Sequence, residues 1–241
     1  MIIQPCACAH QRSVLLLAGM LVLAGRGIAA ETSLAPESRW ESEIAAFERA
    51  DRTKPPPKDA VLLIGSSSIK FWTTAGQQLP GHPVINRGFG GSELSDCTAF
   101  AERIVIPYRP RLIALCAGEN DIVAGKTPER VRDDFRAFVT KVRSAGGETK
   151  ILYLAIKPSP ARAKQFQRQQ TANELIRKCV VGDSGLSYVD VRKPMLKADG
   201  KPREDLFLKD GVHLNEEGYR LWAGILQPIL DQLDPPGGGK R

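Results

Sequence analysis

Five short, mostly apolar runs recur along the chain: Val61-Leu62-Leu63-Ile64, Val84-Ile85-Asn86, Leu112-Ile113-Ala114-Leu115-Cys116, residues 150–156, and Ser187-Tyr188-Val189-Asp190. A strand with one wet face alternates polar and apolar residues. Runs without alternation are covered on both faces, as in a parallel sheet. Between them the spacing changes to that of helices. Val131, Phe135, Phe138, Val139 and Val142 recur at threes and fours after the start signal Thr127-Pro128-Glu129. Tyr219, Trp222, Ile225, Leu226, Ile229 and Leu233 do the same near the end, with Leu214 and Asn215 at the start of that helix. The pattern predicts one three-layer α/β domain over residues 59–233, flavodoxin-like in type, with five parallel strands flanked by helices.

Upstream, residues 31–58 read as a helical lead-in with Trp40, Ile44 and Phe47 on one side, stopped by Pro55-Pro56-Pro57. Residues 234–241, rich in Pro and Gly, read as a disordered tail. The first thirty residues hold no Asp or Glu. Arg12 precedes an apolar run over 14–24, and small residues end at Gly27-Ile28-Ala29-Ala30. This is the pattern of a signal peptide cut near Ala29 or Ala30, which predicts a periplasmic or secreted protein. The apolar run falls short of the roughly 20 residues a membrane span needs. No second stretch of that length follows, so no membrane span is expected in the mature chain.

Composition changes this picture little. The chain has 241 residues, 42% hydrophobic and 25% charged, ordinary for a globular protein. A formal charge of +7 falls to +5 once Arg12 and Arg26 leave with the leader. The remaining basic residues are scattered and not interleaved with aromatics, which argues against a nucleic-acid partner. Cys97, Cys116 and Cys179 remain after cleavage, so at most one internal disulfide forms. Cys116 lies in an apolar strand, and a Cys97–Cys179 pair stays open.

Open parallel sheets place their sites beyond the carboxyl ends of the strands. Here those ends carry Gly65-Ser66-Ser67-Ser68, Gly90-Gly91-Ser92 and Gly118-Glu119-Asn120-Asp121, and Asp210-Gly211-Val212-His213 precedes the last helix. A hydroxyl nucleophile needs a base, and the base needs a group that fixes its tautomer. Ser67, His213 and Asp210 supply these roles. An oxyanion needs donors, which the amides of Ser67 and Gly91 and the Asn120 side chain supply. Taken singly, a serine triplet is usually a turn or cap, and Asn-Asp an Asx-turn. Lys157 and Arg162, after the fourth strand, are candidate substrate contacts at the pocket rim, with a solvated loop as the plainer reading. Trp72 and Trp222 fit either a pocket wall or the core. His82, in a Pro-Gly-His-Pro loop, has no ligand pattern near it. Neither metal spacing nor a phosphate loop is present, so no metal or cofactor is expected.

These blocks resemble those of the SGNH or GDSL hydrolases. The apolar strand ending Gly65-Ser66-Ser67 is similar to the family's first block and places the nucleophile on Ser67, ahead of Ser66 or Ser68. Asn86 to Gly91, Gly118-Glu119-Asn120-Asp121 and Asp210 to His213 are similar to the other three. The resemblance covers about residues 58–233 and departs at Ser66, where the family usually has Asp. It implies a carboxylic-ester hydrolase working through an acyl-enzyme without cofactor, on a small-molecule or glycan ester. Two rivals share the fold: an acyltransferase acting on glycan hydroxyls, and a non-catalytic envelope- or glycan-binding protein.

Overall fold

The computed structural model describes residues 36–235, all within one unit that begins at Leu34. The signal-peptide reading and the tail from residue 236 lie outside the described residues. In chain order the helices are α1 (Pro36–Thr53), α2 (Ser67–Lys70), α3 (Ala75–Gln78), α4 (Leu94–Ala99), α5 (Ala101–Ile104), α6 (Glu119–Val123), α7 (Pro128–Ser144), α8 (Phe166–Cys179) and α9 (Glu216–Leu233). The strands are β1 (Val61–Gly65), β2 (Val84–Gly88), β3 (Leu112–Cys116), β4 (Lys150–Leu154) and β5 (Leu186–Val189). They form one parallel sheet in the order β2-β1-β3-β4-β5.

The missing alternation has the expected cause. In β1, Leu62 and Ile64 face a core built with α1, α4, α5, α7 and α8, while Val61 and Leu63 face another built with α2, α3 and α9. Both sets are fully buried, so each position gains the roughly 1.5–3 kcal/mol of burying a large aliphatic side chain, whichever way it points. Trp72 and Trp222 belong to the second core and meet edge to face, 6.0 Å apart. The first core includes Trp40 and Ile44 of α1.

Local chemistry sets the element ends. The Thr127 hydroxyl caps α7 by accepting from Arg130 N–H, and Asn215 caps α9 by accepting from Gly218 N–H. Asn215 is therefore the cap of α9 rather than part of its first turn. β4 stops at Leu154, short of the apolar run read through Ile156. Beyond it the Asn173 carboxamide of α8 bonds both the N–H and the C=O of Ile156 and replaces a strand neighbour.

The open Cys97–Cys179 pairing is resolved against a disulfide: Cys97, Cys116 and Cys179 are all free thiols. Cys97 lies in α4 and Cys179 ends α8, and α7 packs against both helices, keeping them apart. Among the described residues, no helix is long and apolar enough to cross a membrane.

Candidate active site

β1 delivers a serine to the rim of the sheet through a turn that only glycine allows. Gly65 has φ +147°, and a Cβ there would lie 1.9 Å from the Cys116 carbonyl oxygen. The chain can then turn into α2 flush against β3, with Ser66 N–H donating to Cys116 O (3.2 Å). Of the three serines, Ser66 and Ser68 are buried and Ser67 is partly exposed. Ser68 is further held at its carbonyl by the Tyr219 hydroxyl of α9 (3.0 Å). Asn86 clamps α2 from β2, donating to the carbonyls of Ile69 (2.7 Å) and Trp72 (3.2 Å). Ser67 thus stands at a helix start, where first-turn N–H groups lack intrahelical acceptors.

The loop before α9 brings the base. Asp210 Oδ1 accepts from the backbone N–H groups of Val212 (2.8 Å) and His213 (2.9 Å), and Oδ2 lies 2.7 Å from His213 Nδ1. Hydrogen bonds from the His213 backbone, then its side chain, then the Val212 backbone hold the Asp210 carboxyl well below the usual carboxylate range. An ionised Asp210 only accepts, so Nδ1 carries the proton and donates to it. His213 Nε2 is then free to accept from Ser67 Oγ, 3.1 Å away. Phe71, itself well exposed, meets the His213 ring edge-on at 4.9 Å.

Hydrogen bonds tie the segments after β1, β2, β3 and β4 to one another and to the loop that carries Asp210. Phe89 N–H donates to Gly65 O (2.9 Å), joining the loops after β1 and β2. Gly91, in the loop after β2, has φ +77° and is partly exposed. The turn is fastened from α1, where Trp40 Nε1–H donates to Gly90 O (2.9 Å). Asn120, in the first turn of α6, donates from Nδ2 to Ser92 O (3.0 Å) and links the loops after β2 and β3. The loop after β4 donates from Ala161 N–H to Gly211 O (3.1 Å), beside Asp210.

Ser67, His213 and Asp210 are thus brought into one hydrogen-bonded line, with Gly91 and Asn120 on the neighbouring loops. Arg162 also reaches the site, where Nη1 donates to Asn120 Oδ1 (3.1 Å). Lys157 does not. It is 1% exposed and its Nζ donates to Glu119 Oε2 (2.6 Å), so the expected rim contact is corrected to a buried ion pair. Glu119, Ser159 and the α1 tether were not singled out from the sequence. A lysine after a buried strand with a glutamate elsewhere carries no local signal of pairing; Trp40 was visible only as an apolar helix position.

Asp121, next to Asn120, is fully buried. It accepts from Leu94 N–H and lies 2.9 Å from Lys126 Nζ. Burial pushes its carboxyl up to about 6, against the opposing pull of Lys126. Among the described residues, no group of three or more His, Cys, Asp or Glu is arranged to hold a metal ion.

The sequence is similar to the model of the GDSL-like lipase/acylhydrolase family over residues 65–221. No curated protein matches it. Among solved structures, the fold is similar to that of a Streptococcus pneumonia chain described as a candidate platelet activating factor. That pair is 19% identical, covering 80% of this chain and 94% of that one, with a TM-score of 0.70. A GDSL-like lipase from Bacteroides thetaiotaomicron is 20% identical over 82% of this chain and 98% of that one, with a TM-score of 0.67. A catalytic mutant of an acetylxylan esterase from Geobacillus stearothermophilus is 13% identical over 75% and 96%, with a TM-score of 0.60. At these identities the likeness is one of fold.

Proposed function

The chain belongs to the GDSL-like lipase/acylhydrolase family and is an ester hydrolase, and from that premise we propose that it works through an acyl-enzyme on Ser67. Ser67 Oγ attacks the ester carbonyl carbon as its proton passes to His213 Nε2. Asp210 holds the opposite ring nitrogen and stabilises the imidazolium that forms. The carbonyl oxygen becomes an oxyanion, met by the N–H groups of Ser67 and Gly91 and the second Nδ2–H of Asn120. When the tetrahedral intermediate collapses, the alcohol leaves with the proton from His213. Water then gives its proton to the same nitrogen and attacks the acyl carbon, and the second intermediate collapses as His213 returns that proton to Ser67 Oγ and the acid leaves.

The observation that carries this reading is the unbroken line Ser67 Oγ to His213 Nε2 (3.1 Å) and His213 Nδ1 to Asp210 Oδ2 (2.7 Å). Its members come from loops 146 residues apart at the carboxyl ends of the strands. Burial of Ser66 and Ser68 supports Ser67 over its neighbours.

The test is labelling with a serine-reactive fluorophosphonate, read beside hydrolysis of p-nitrophenyl esters from acetate to palmitate and of acetylated sugars. Labelling and turnover are expected in the wild type and absent in Ser67→Ala. A Ser67→Ala variant that still labels, with loss only in Ser66→Ala or Ser68→Ala, would move the nucleophile. The proposal takes the substrate to be a small-molecule or glycan ester, the second supported by the acetylxylan esterase among the structural neighbours. It also takes the protein to be exported, on the pattern of Arg12, the apolar run and Ala29-Ala30. Cell fractionation with N-terminal sequencing of the mature chain tests that part.

A further inference from the structure

The loops after β3 and β4 meet through a charged cluster that the mechanism above leaves unused. Glu119 is 8% exposed, and Lys157 and Ser159 are 1% exposed each. Lys157 Nζ donates to Glu119 Oε2 (2.6 Å) and to Ser159 Oγ (2.8 Å). Ser159 in turn donates to Glu119 Oε1 (2.5 Å). Arg162 closes the cluster with Nη1 3.4 Å from Glu119 Oε1, and the same nitrogen donates to Asn120 Oδ1 (3.1 Å). The short turn carrying it, Pro160–Gln165, is kinked at Arg162 itself. One carboxylate faces two cations here, so the cluster keeps one positive charge, and that charge lies against the Asn120 carboxamide.

A carboxamide has two ends of nearly equal size, and its partners decide which way it points. Arg162 can only donate, so it selects the oxygen. The Ser92 carbonyl can only accept, so it selects the nitrogen, 3.0 Å away. The two partners leave Asn120 one orientation. A cation on the amide oxygen also draws electron density from Nδ2, which makes its N–H groups stronger donors.

We propose that Arg162 is a positioning residue for ester hydrolysis. Braced by Glu119, Lys157 and Ser159, it orients and polarises the Asn120 carboxamide that receives the oxyanion. The inference rests on the oxyanion role given to Asn120 above, and the experiment separates the two.

Steady-state hydrolysis of p-nitrophenyl acetate is measured for the wild type, Asn120→Ala, Arg162→Met and the double variant, with folding checked by near-UV circular dichroism. Asn120→Ala is expected to lower kcat about 100-fold, the loss of one oxyanion donor. Arg162→Met is expected to lower kcat about tenfold with KM nearly unchanged, since it acts on the transition state through another residue. The double variant is expected to fall no further than Asn120→Ala, because Arg162 has nothing left to orient. Arg162→Gln keeps an N–H donor without the charge and serves where Arg162→Met does not fold. It is expected to lose about threefold in kcat, from polarisation alone. Losses that multiply in the double variant, an effect confined to KM, or an unchanged kcat in both Arg162 variants would each overturn the inference. An unchanged kcat in Asn120→Ala would instead remove the oxyanion role itself.

Discussion

Two charged groupings lie beyond the carboxyl ends of the strands of this sheet. Asp210 and His213 lie three positions apart in one loop and remain partly exposed, with Asp210 side-chain exposure at 47%. Glu119 and Lys157 lie 38 positions apart, at the start of α6 and after β4, and are buried. The first pair keeps access to water and to an incoming ester, so its proton can move. The second is sealed, and a proton exchanged there would strand a charge away from water. Exposure, more than the kind of residue, separates the chemistry from its support.

The sharpest way to break this comparison is through the exposed line. Ser67→Ala and His213→Ala should each lower kcat by on the order of 10⁶, as for a triad member acting in a unit. Their melting temperatures should stay near that of the wild type, because neither side chain is part of the core. A folded His213→Ala with more than a hundredth of the wild-type kcat on p-nitrophenyl acetate would take the general base away from this loop. Asp210→Asn should cost less, about 10⁴-fold. Asparagine can accept with its oxygen but presents an N–H to the ring in its other orientation, which favours the wrong tautomer. A loss that disappears on raising the pH would show that the imidazole, once neutral, needs no partner to orient it.

The buried pair should respond first in stability, and in the chemical step only as far as Arg162 loses its brace on Asn120. Lys157→Met leaves Glu119 to Ser159 and Arg162 alone, and breaking a buried pair from one side costs about 3–5 kcal/mol. Replacing both partners, as in Glu119→Gln with Lys157→Met, should recover part of the loss, since no uncompensated charge remains. Urea unfolding of the two single variants and the double gives the coupling. A Lys157→Met protein as stable as the wild type would mean that water reaches the pair.

The same contrast explains which features could be read from the chain. The strands were legible because covering both faces writes an unbroken apolar run, and 61–64 and 112–116 needed no tertiary information. Asp210 and His213 were legible as a pair because their contact is local. Ser67 joined them as a hydroxyl at a strand end, and the resemblance set it ahead of Ser66 and Ser68, since nothing local relates positions 146 residues apart. Lys157 was misplaced on the rim because a loop lysine ordinarily seeks solvent, and its buried partner follows a different strand. Arg162 was marked for its charge, while its contact with Asn120 depends on a kink in a turn that has no sequence signature. Cys97 and Cys179 were left unassigned because their separation is set by how α4 and α8 pack around α7.

The finest test compares two aspartates whose carboxyls are shifted in opposite directions. Asp210 is depressed by hydrogen bonds to His213 and Val212, so the stability it contributes is present above its unfolded value, near 3.9, and is lost as pH falls. Asp121 is raised to about 6 by burial between α6 and α4. Between about 4 and about 6 the folded protein therefore holds a proton that the unfolded chain has released. Its contribution to stability is greatest below the unfolded value and falls as pH rises through the folded one. Lys126, which also lies 2.8 Å from Glu93 and 2.7 Å from Asp134, opposes this shift. The Asp121 contribution should therefore be the smallest of those considered. It is isolated by difference: the urea midpoint of the wild type, relative to Asp121→Asn, should decline across that window. A difference that stays flat would mean that Lys126 keeps the carboxylate ionised throughout, and that burial next to Asn120 is offset by that one ammonium.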